Sequence, residues 1–312
     1  MKIAFIFPGQ GSQSVGMMDG YSELPSIRET FNEASDILQQ DLWSLASNGP
    51  ADTLNLTTNT QPVMLTADVA IYRAWQQAGG TQPHYLAGHS LGEYAALVAA
   101  ESLSLGDALK LVRHRAEVMQ ETVPEGTGGM AAIVGLDNDT ISSVCAEVIN
   151  MLPDTSLEPA NFNAPGQVVI AGHSQAIAQA VTLAKSKGAK LAVILPMSIP
   201  SHCSLMQPAA EKFALLLEKI TFQPPRIPVL HNVDVQQHPE IASIREILAH
   251  QLDNPVRWTE TIQALAGLGV RHVVECGPGK VLSGLTRRID KNLENIALTD
   301  SNSFLKTVGT LK

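Results

Sequence analysis

Ser90, set in Gly88-His89-Ser90-Leu91-Gly92, is the side chain in this sequence best placed for covalent chemistry. An apolar run from His84 to Ala87 precedes it and a small-residue run from Glu93 to Ala100 follows, which predicts strand, tight turn and helix. Gly-x-Ser-x-Gly in that setting is a nucleophile elbow. The turn is so sharp that side chains at the flanking positions would collide, hence the glycines. It pushes the hydroxyl clear of the backbone and points the free N–H groups of the next helix at any negative charge forming there. A serine in an ordinary glycine turn is the plain alternative, and the flanking strand and helix argue against it.

A serine hydroxyl needs a base within hydrogen-bond reach. The sequence has nine histidines. His89 is adjacent, so its side chain is carried away from the elbow tip. His84 and His272 lie in strand-like runs, where a satisfied core histidine is the common outcome. His202 is better placed, in a loop held by Pro200, although spacing alone leaves the choice open. Its neighbour Cys203 reads as a free, small apolar residue. No Asp or Glu stands out as a third member, so a dyad with His202 oriented by a backbone carbonyl is expected.

Leu105, Ala108, Leu109, Val112, Ala116 and Met119 share one face of a helix over Leu105–Glu121. At about 100° per residue, Arg115 lies nearest that apolar stripe, while Arg113 and His114 turn progressively away. A guanidinium leaning into a buried face needs an anion, unless it snorkels to water or pairs with an internal carboxylate. Pro8-Gly9-Gln10-Gly11-Ser12-Gln13 follows the strand-like run Ile3–Phe7; its small residues let backbone N–H groups approach a ligand, or simply connect strand to helix. Its glycine spacing matches neither a Rossmann nor a P-loop fingerprint, and Gly277-Pro278-Gly279-Lys280 lacks the other P-loop residues. Gly172-His173-Ser174-Gln175-Ala176 imitates the elbow, but Ala stands at the last glycine, and Ser174 is expected to cap the following helix.

These residues need a frame. Helices are expected over Ser26–Leu38, Leu42–Ala46 and Thr60–Ala78, with turns between Asn48 and Asn59 and Pro62 in the first turn of the third. Pro124-Glu125-Gly126-Thr127-Gly128-Gly129 reads as a hinge. After it come a strand (Met130–Leu136), a helix (Thr140–Asn150), two strands (Leu157–Asn161 and Gln167–Ala171) joined by a turn containing Asn163, a helix (Gln175–Lys187) and a strand (Lys190–Leu195). The order β-α-β-β-α-β is ferredoxin-like. Residues 127–196 are therefore an inserted domain within a discontinuous large domain, 1–126 and 197–312. A helix over Leu205–Lys219, strands over Pro228–Val233 and Val270–Glu275, a further amphipathic helix and a short tail from Ala297 complete it. With 45% hydrophobic and 16% charged residues, the 312-residue chain has ample core. A net charge of −9 argues against nucleic acid or anionic membranes as principal ligands. Cys145, Cys203 and Cys276 have no metal or disulfide spacing, no window spans a bilayer, and the cytoplasm is the expected location.

Taken together, the chain resembles the malonyl-CoA:acyl-carrier-protein transacylases and the acyltransferases of polyketide synthases. The resemblance runs almost end to end: Phe7-Pro-Gly-Gln-Gly-Ser-Gln13, Gly88-His-Ser-Leu-Gly92, Arg115 through Met119-Gln120, Asn161-Phe-Asn-Ala-Pro-Gly-Gln167, Pro200-Ser-His-Cys203, Gln251 through Asn254-Pro-Val256, and Gly277-Pro-Gly279. It implies an α/β fold, an α/β-hydrolase-like large domain with an inserted ferredoxin-like small domain. It implies Ser90 as nucleophile, His202 as base, backbone N–H groups of Gln10 and Leu91 as oxyanion hole, and Arg115 as a bidentate clamp for the malonyl carboxylate. Gln251 would orient His202 through its main-chain carbonyl; Asn163 matches a position near the active site. Leu91 and the run Ser198-Ile-Pro-Ser-His202 are similar to malonyl-selective members. The partners implied are malonyl-CoA and holo-acyl carrier protein, for a monomer needing no metal or redox cofactor, in fatty-acid or polyketide synthesis. An esterase or thioesterase would show an acid between Ser and His in the chain. The intact Ser90, His202 and Arg115 speak against a non-catalytic binding module.

Overall fold

The computed structural model describes residues 2–124, 126–197 and 199–311; Glu125 of the expected hinge lies outside them. Two sheets organise the chain. The first follows from β1 (Lys2–Phe7), whose continuous apolar run alternates between two buried faces. Ile3, Phe5 and Phe7 enter one core and Ala4 and Ile6 another, the arrangement of a parallel strand covered by helices on both sides. The first core packs against α1 (Pro25–Leu38), α2 (Leu42–Asn48), α3 (Ala51–Leu54), α4 (Thr57–Gln77), α5 (Gly92–Ala99) and α6 (Leu105–Thr122). β2 (Tyr85–Gly88) pairs in parallel with β1.

The chain then builds a second, antiparallel sheet: β3 (Gly128–Val134), α7 (Asn138–Met151), β4 (Leu157–Ala164), β5 (Gln167–His173), α8 (Ser174–Ser186) and β6 (Leu191–Ile194), in sheet order β4-β5-β3-β6. Both helices pack on one face of it. The expected order of elements within 127–196 is thus found. β4 runs longer than expected, so Asn163 lies in the strand and not in the turn.

The remaining elements return to the first sheet: α9 (Gln207–Leu217), β7 (Val229–Leu230), α10 (Ile241–His250), α11 (Trp258–Gly267), β8 (Val270–Glu275), α12 (Val281–Ile289), β9 (Glu294–Ala297) and α13 (Ser301–Thr310). Its order is β7-β2-β1-β8-β9, all parallel. β1 therefore has the next strand in sequence on one side and a much later one on the other, and the crevice at the carboxyl ends of β1, β2 and β8 is where such sheets bind ligands.

Several local expectations need correction. The stretch from Asn48 to Asn59 contains the short helix α3, and α4 begins at Thr57, so Pro62 sits inside its helix, past the first turn. The segment after Ala297 is no tail: α13 opens on a capping box between Asp300 and Ser303 and buries Phe304 against Trp75. Ser174 does not cap α8. It is the first helical residue, and its hydroxyl donates to the carbonyls of Gly126 and Gly128. His84 is exposed and accepts a hydrogen bond from the Ile3 N–H, so it is no core histidine, whereas His272 is buried beside Glu294.

Candidate active site

The elbow forms as its glycines require. A Cβ on Gly88 would lie 1.9 Å from the Gly92 carbonyl carbon, and one on Gly92 would lie 2.1 Å from the Phe7 carbonyl oxygen. Strand β1 and the turn after β2 thus touch backbone to backbone. Ser90 itself has φ +51°, a conformation that costs a non-glycine residue energy and that the surroundings must hold.

The Ser90 hydroxyl lies 2.7 Å from His202 Nε2. His202 Nδ1 lies 2.7 Å from the main-chain oxygen of Gln251. A carbonyl only accepts, so Nδ1 carries the proton and Nε2 is free to accept from Ser90. His202 also has a left-handed backbone, φ +65°, fixed by its N–H donating to the Leu252 carbonyl. Burial first, and then the neighbouring Arg115 cation, push His202 down to about 3, so the imidazole is neutral at physiological pH and suited to take a proton. Among the described residues no carboxylate contacts His202, in keeping with a dyad oriented by a carbonyl.

Arg115 is buried at 2% exposure on α6. Arg113 binds Gln40 and His114 reaches Glu117, and both are only partly buried where Arg115 is fully so. The Arg115 guanidinium donates to Gln61 Oε1 at 2.9 Å, Gln251 Oε1 at 3.0 Å and Ser90 Oγ at 3.3 Å, and lies over the Tyr94 ring. It neither snorkels nor pairs: among the described residues no carboxylate forms an ion pair with it. Burial pushes its pKa down, but a guanidinium stays charged. A buried cation aimed at the Ser90 hydroxyl, whose hydrogen-bond acceptors among the described residues are all neutral oxygens, can take an anionic group of a bound molecule.

The first glycine-rich loop lies against the elbow. A Cβ on Gly9 would fall 2.4 Å from the His89 carbonyl oxygen and 3.6 Å from the Leu91 nitrogen. Among the described residues the N–H groups of Gln10 and Leu91 donate to no protein acceptor, which leaves both available to a ligand oxygen. Thr57 ties this loop to the cation: it donates to Gln10 Oε1, accepts from Gln61 Nε2, and Gln61 in turn accepts from Arg115.

Asn163 does not reach Ser90. Its Oδ1 lies 2.8 Å from His89 Nε2, which ties the second sheet to the elbow. Main-chain bonds between Phe162, Ala160 and Val256 strengthen that seam just past Gln251. Ser198, which opens the run ending at His202, lies outside the described residues.

Three residues escaped the sequence. Glu93, His231 and Asn232 are fully buried beneath the elbow. Asn232 Oδ1 accepts from the Ser90 N–H and its Nδ2 donates to the Gly88 carbonyl, both at 2.7 Å. Glu93 accepts from His231 Nδ1, the Asn232 N–H and Gln251 Nε2. The available signal was a lone carboxylate in a helix of small apolar residues, where ionised groups are buried only when paired.

Known proteins resemble this chain over nearly its whole length. A family model described as acyl transferase domain matches residues 4–308. The malonyl CoA-acyl carrier protein transacylase of Salmonella typhimurium is 53% identical over 300 residues, 96% of each chain. The acyl-carrier-protein S-malonyltransferase of Burkholderia pseudomallei superposes with a TM-score of 0.96 at 54% identity, covering 99% of this chain and 100% of that one. A malonyl-transacylase solved in complex with its type II PKS acyl-carrier protein gives a TM-score of 0.97 at 48% identity, with 99% and 100% covered.

Proposed function

The chain belongs to the malonyl CoA-acyl carrier protein transacylase family, and from that premise we propose how it moves a malonyl group from CoA to the phosphopantetheine thiol of an acyl carrier protein. Ser90 gives its proton to His202 Nε2 as its oxygen attacks the thioester carbonyl of malonyl-CoA. The tetrahedral oxyanion sits between the N–H groups of Gln10 and Leu91; losing one such donor typically costs about 3 kcal/mol of barrier. The C–S bond breaks, and CoA leaves with the proton from His202. The carrier thiol then attacks the malonyl-serine ester, giving its proton to His202, and Ser90 leaves with that proton as the thioester forms. Arg115 holds the malonyl carboxylate throughout, in place of the Ser90 hydroxyl it now meets, while Gln61 and Gln251 keep their hold on the guanidinium. Gln251 holds His202 through its carbonyl, and Asn163 serves by keeping His89 and the second sheet against the elbow.

One observation carries this reading: a buried Arg115, in no ion pair among the described residues, lies 3.3 Å from the hydroxyl that His202 is set to deprotonate. We read the parallel sheet with its helices, residues 1–126 and 197–312, as an α/β-hydrolase-like domain, and residues 127–196 as a ferredoxin-like insert. Among the described residues no helix is long and apolar enough to cross a membrane, which is compatible with a soluble acceptor. The discriminating experiment follows malonyl-CoA consumption with and without holo-carrier protein. Acceptor-dependent consumption is expected; consumption equally fast without acceptor would mean hydrolysis.

A further inference from the structure

Gln251 has one amide with two unlike ends, and the site needs a particular end in each place. Its Oε1 accepts from Arg115 at 3.0 Å, while its Nε2 donates to the Ser90 carbonyl at 3.0 Å and to Glu93 Oε2 at 2.9 Å. Turned over, the amide would face its NH2 to a guanidinium, which has no acceptor. Glu93 opposes that flip, because its carboxylate accepts and cannot donate. The same carboxylate takes the Asn232 N–H at 3.1 Å and His231 Nδ1–H at 2.7 Å. Asn232 holds the Ser90 N–H, and Gln251 holds the Ser90 carbonyl. Both peptide groups flanking the left-handed Ser90 are therefore fixed by side-chain amides anchored on Glu93.

We propose that Glu93 is a positioning residue for acyl-group selection: by fixing the Gln251 amide it aims Arg115 at the acyl group on Ser90 and so sets the preference for a carboxylated acyl chain. Glu93 never touches substrate; it lies one side chain behind the groups that do. Its effect falls on the ratio of malonyl to acetyl transfer, because acetyl has no carboxylate for Arg115 to hold. The inference rests on the clamp role of Arg115 given above.

The test measures kcat/KM with malonyl-CoA and acetyl-CoA for Glu93→Ala, Glu93→Asp, Glu93→Gln and Arg115→Ala, with Tm recorded for each. Glu93→Ala orphans three donors, and its malonyl-to-acetyl ratio is expected to fall about tenfold or more, the scale of a displaced binding group. Glu93→Asp keeps the charge but withdraws the carboxylate by one methylene, and a several-fold fall is expected. Glu93→Gln keeps one oxygen for Gln251 and Asn232, and its NH2 can face His231, whose Nε2 has no partner among the described residues and is free to take the proton; a ratio near the parent's is expected. A structural role alone would lower Tm and leave the ratio untouched. The parent ratio in Glu93→Asp overturns the proposal, and that variant decides if the alanine chain does not fold. If Arg115→Ala loses the preference while the Glu93 variants keep it, this inference fails and the clamp stands; if Arg115→Ala keeps the preference, the clamp fails and takes the inference with it.

Discussion

The tripeptide Gly-His-Ser occurs twice, each time between a strand and a helix, and the two copies have different fates. At the first, Ser90 sits in a left-handed turn with its hydroxyl between His202 and Arg115. At the second, Ser174 has entered its helix, and its hydroxyl donates to two carbonyls of the segment leading into β3. The residue two places on divides them. Gly92 lies under the Phe7 backbone, where no Cβ fits, whereas Ala176 fills the core of the second sheet. The histidines diverge too: His89 reaches across to Asn163, and His173 Nδ1 accepts from the Ser156 N–H. A serine becomes a nucleophile by what converges on it from other elements, and the turn only makes room for that.

The comparison can be broken by substitution. Ser90→Ala removes the attacking atom and is expected to lower transfer by at least about 10,000-fold with folding intact, as losses of a nucleophile do; a stopped-flow or radiolabel transfer assay reads it. Arg115→Ala is expected to cut kcat/KM for malonyl transfer about 100-fold and acetyl transfer far less, the scale of truncating one partner of a buried ion pair. Equal losses with both acyl-CoAs would remove Arg115 from the clamp. Gly92→Ala gives the first turn the residue of the second. With backbone 2.1 Å from the new Cβ, the elbow must open, and a loss of about 1–3 kcal/mol in stability is expected by denaturant titration, with activity falling in step. Ser174→Ala should cost about 1 kcal/mol of stability through its lost hydrogen bonds and leave transfer unchanged.

A subtler effect concerns pH. His202 is lowered to about 3, first by burial and then by Arg115. It must be neutral to act as base, so the acid limb of the free-enzyme profile should lie below the range of an ordinary histidine. Removing the cation in Arg115→Ala lets His202 rise, so the limb should move to higher pH in acetyl transfer. The linkage to stability has a definite sign: with its folded pKa depressed, His202 binds a proton more readily in the unfolded chain, and stability falls as pH drops from about 6.5 toward 3. Urea titrations of the parent and His202→Gln across that window should diverge, with the variant less pH-sensitive.

What the sequence revealed was local, and what it hid was assembled from afar. The elbow, the inward lean of Arg115 and the β-α-β-β-α-β order each depend on neighbours within a turn or a strand, where periodicity and glycine spacing speak directly. β8 was found residue for residue from its β-branched Val270, Val273 and Val274, although Arg271, His272 and Glu275 interrupt the apolar pattern. Glu93, His231 and Asn232 meet across 138 and 139 residues, a pairing no single segment displays. The roles proposed for Gln251 and for the Gln10 N–H came only from the resemblance. α13 was missed because Asp300-x-x-Ser303 is an unusual capping box and the helix behind it is short. The left-handed backbone of both Ser90 and His202 also has no mark in composition, since neither residue type announces it.

Ser90, and no other hydroxyl, is expected to carry the malonyl group. Peptide mapping by mass spectrometry after brief exposure to malonyl-CoA, without acceptor, tests it directly. The predicted result is one malonyl adduct on the peptide containing Ser90, discharged when holo-carrier protein is added. An adduct on any other residue, or none on an enzyme that transfers, would contradict it.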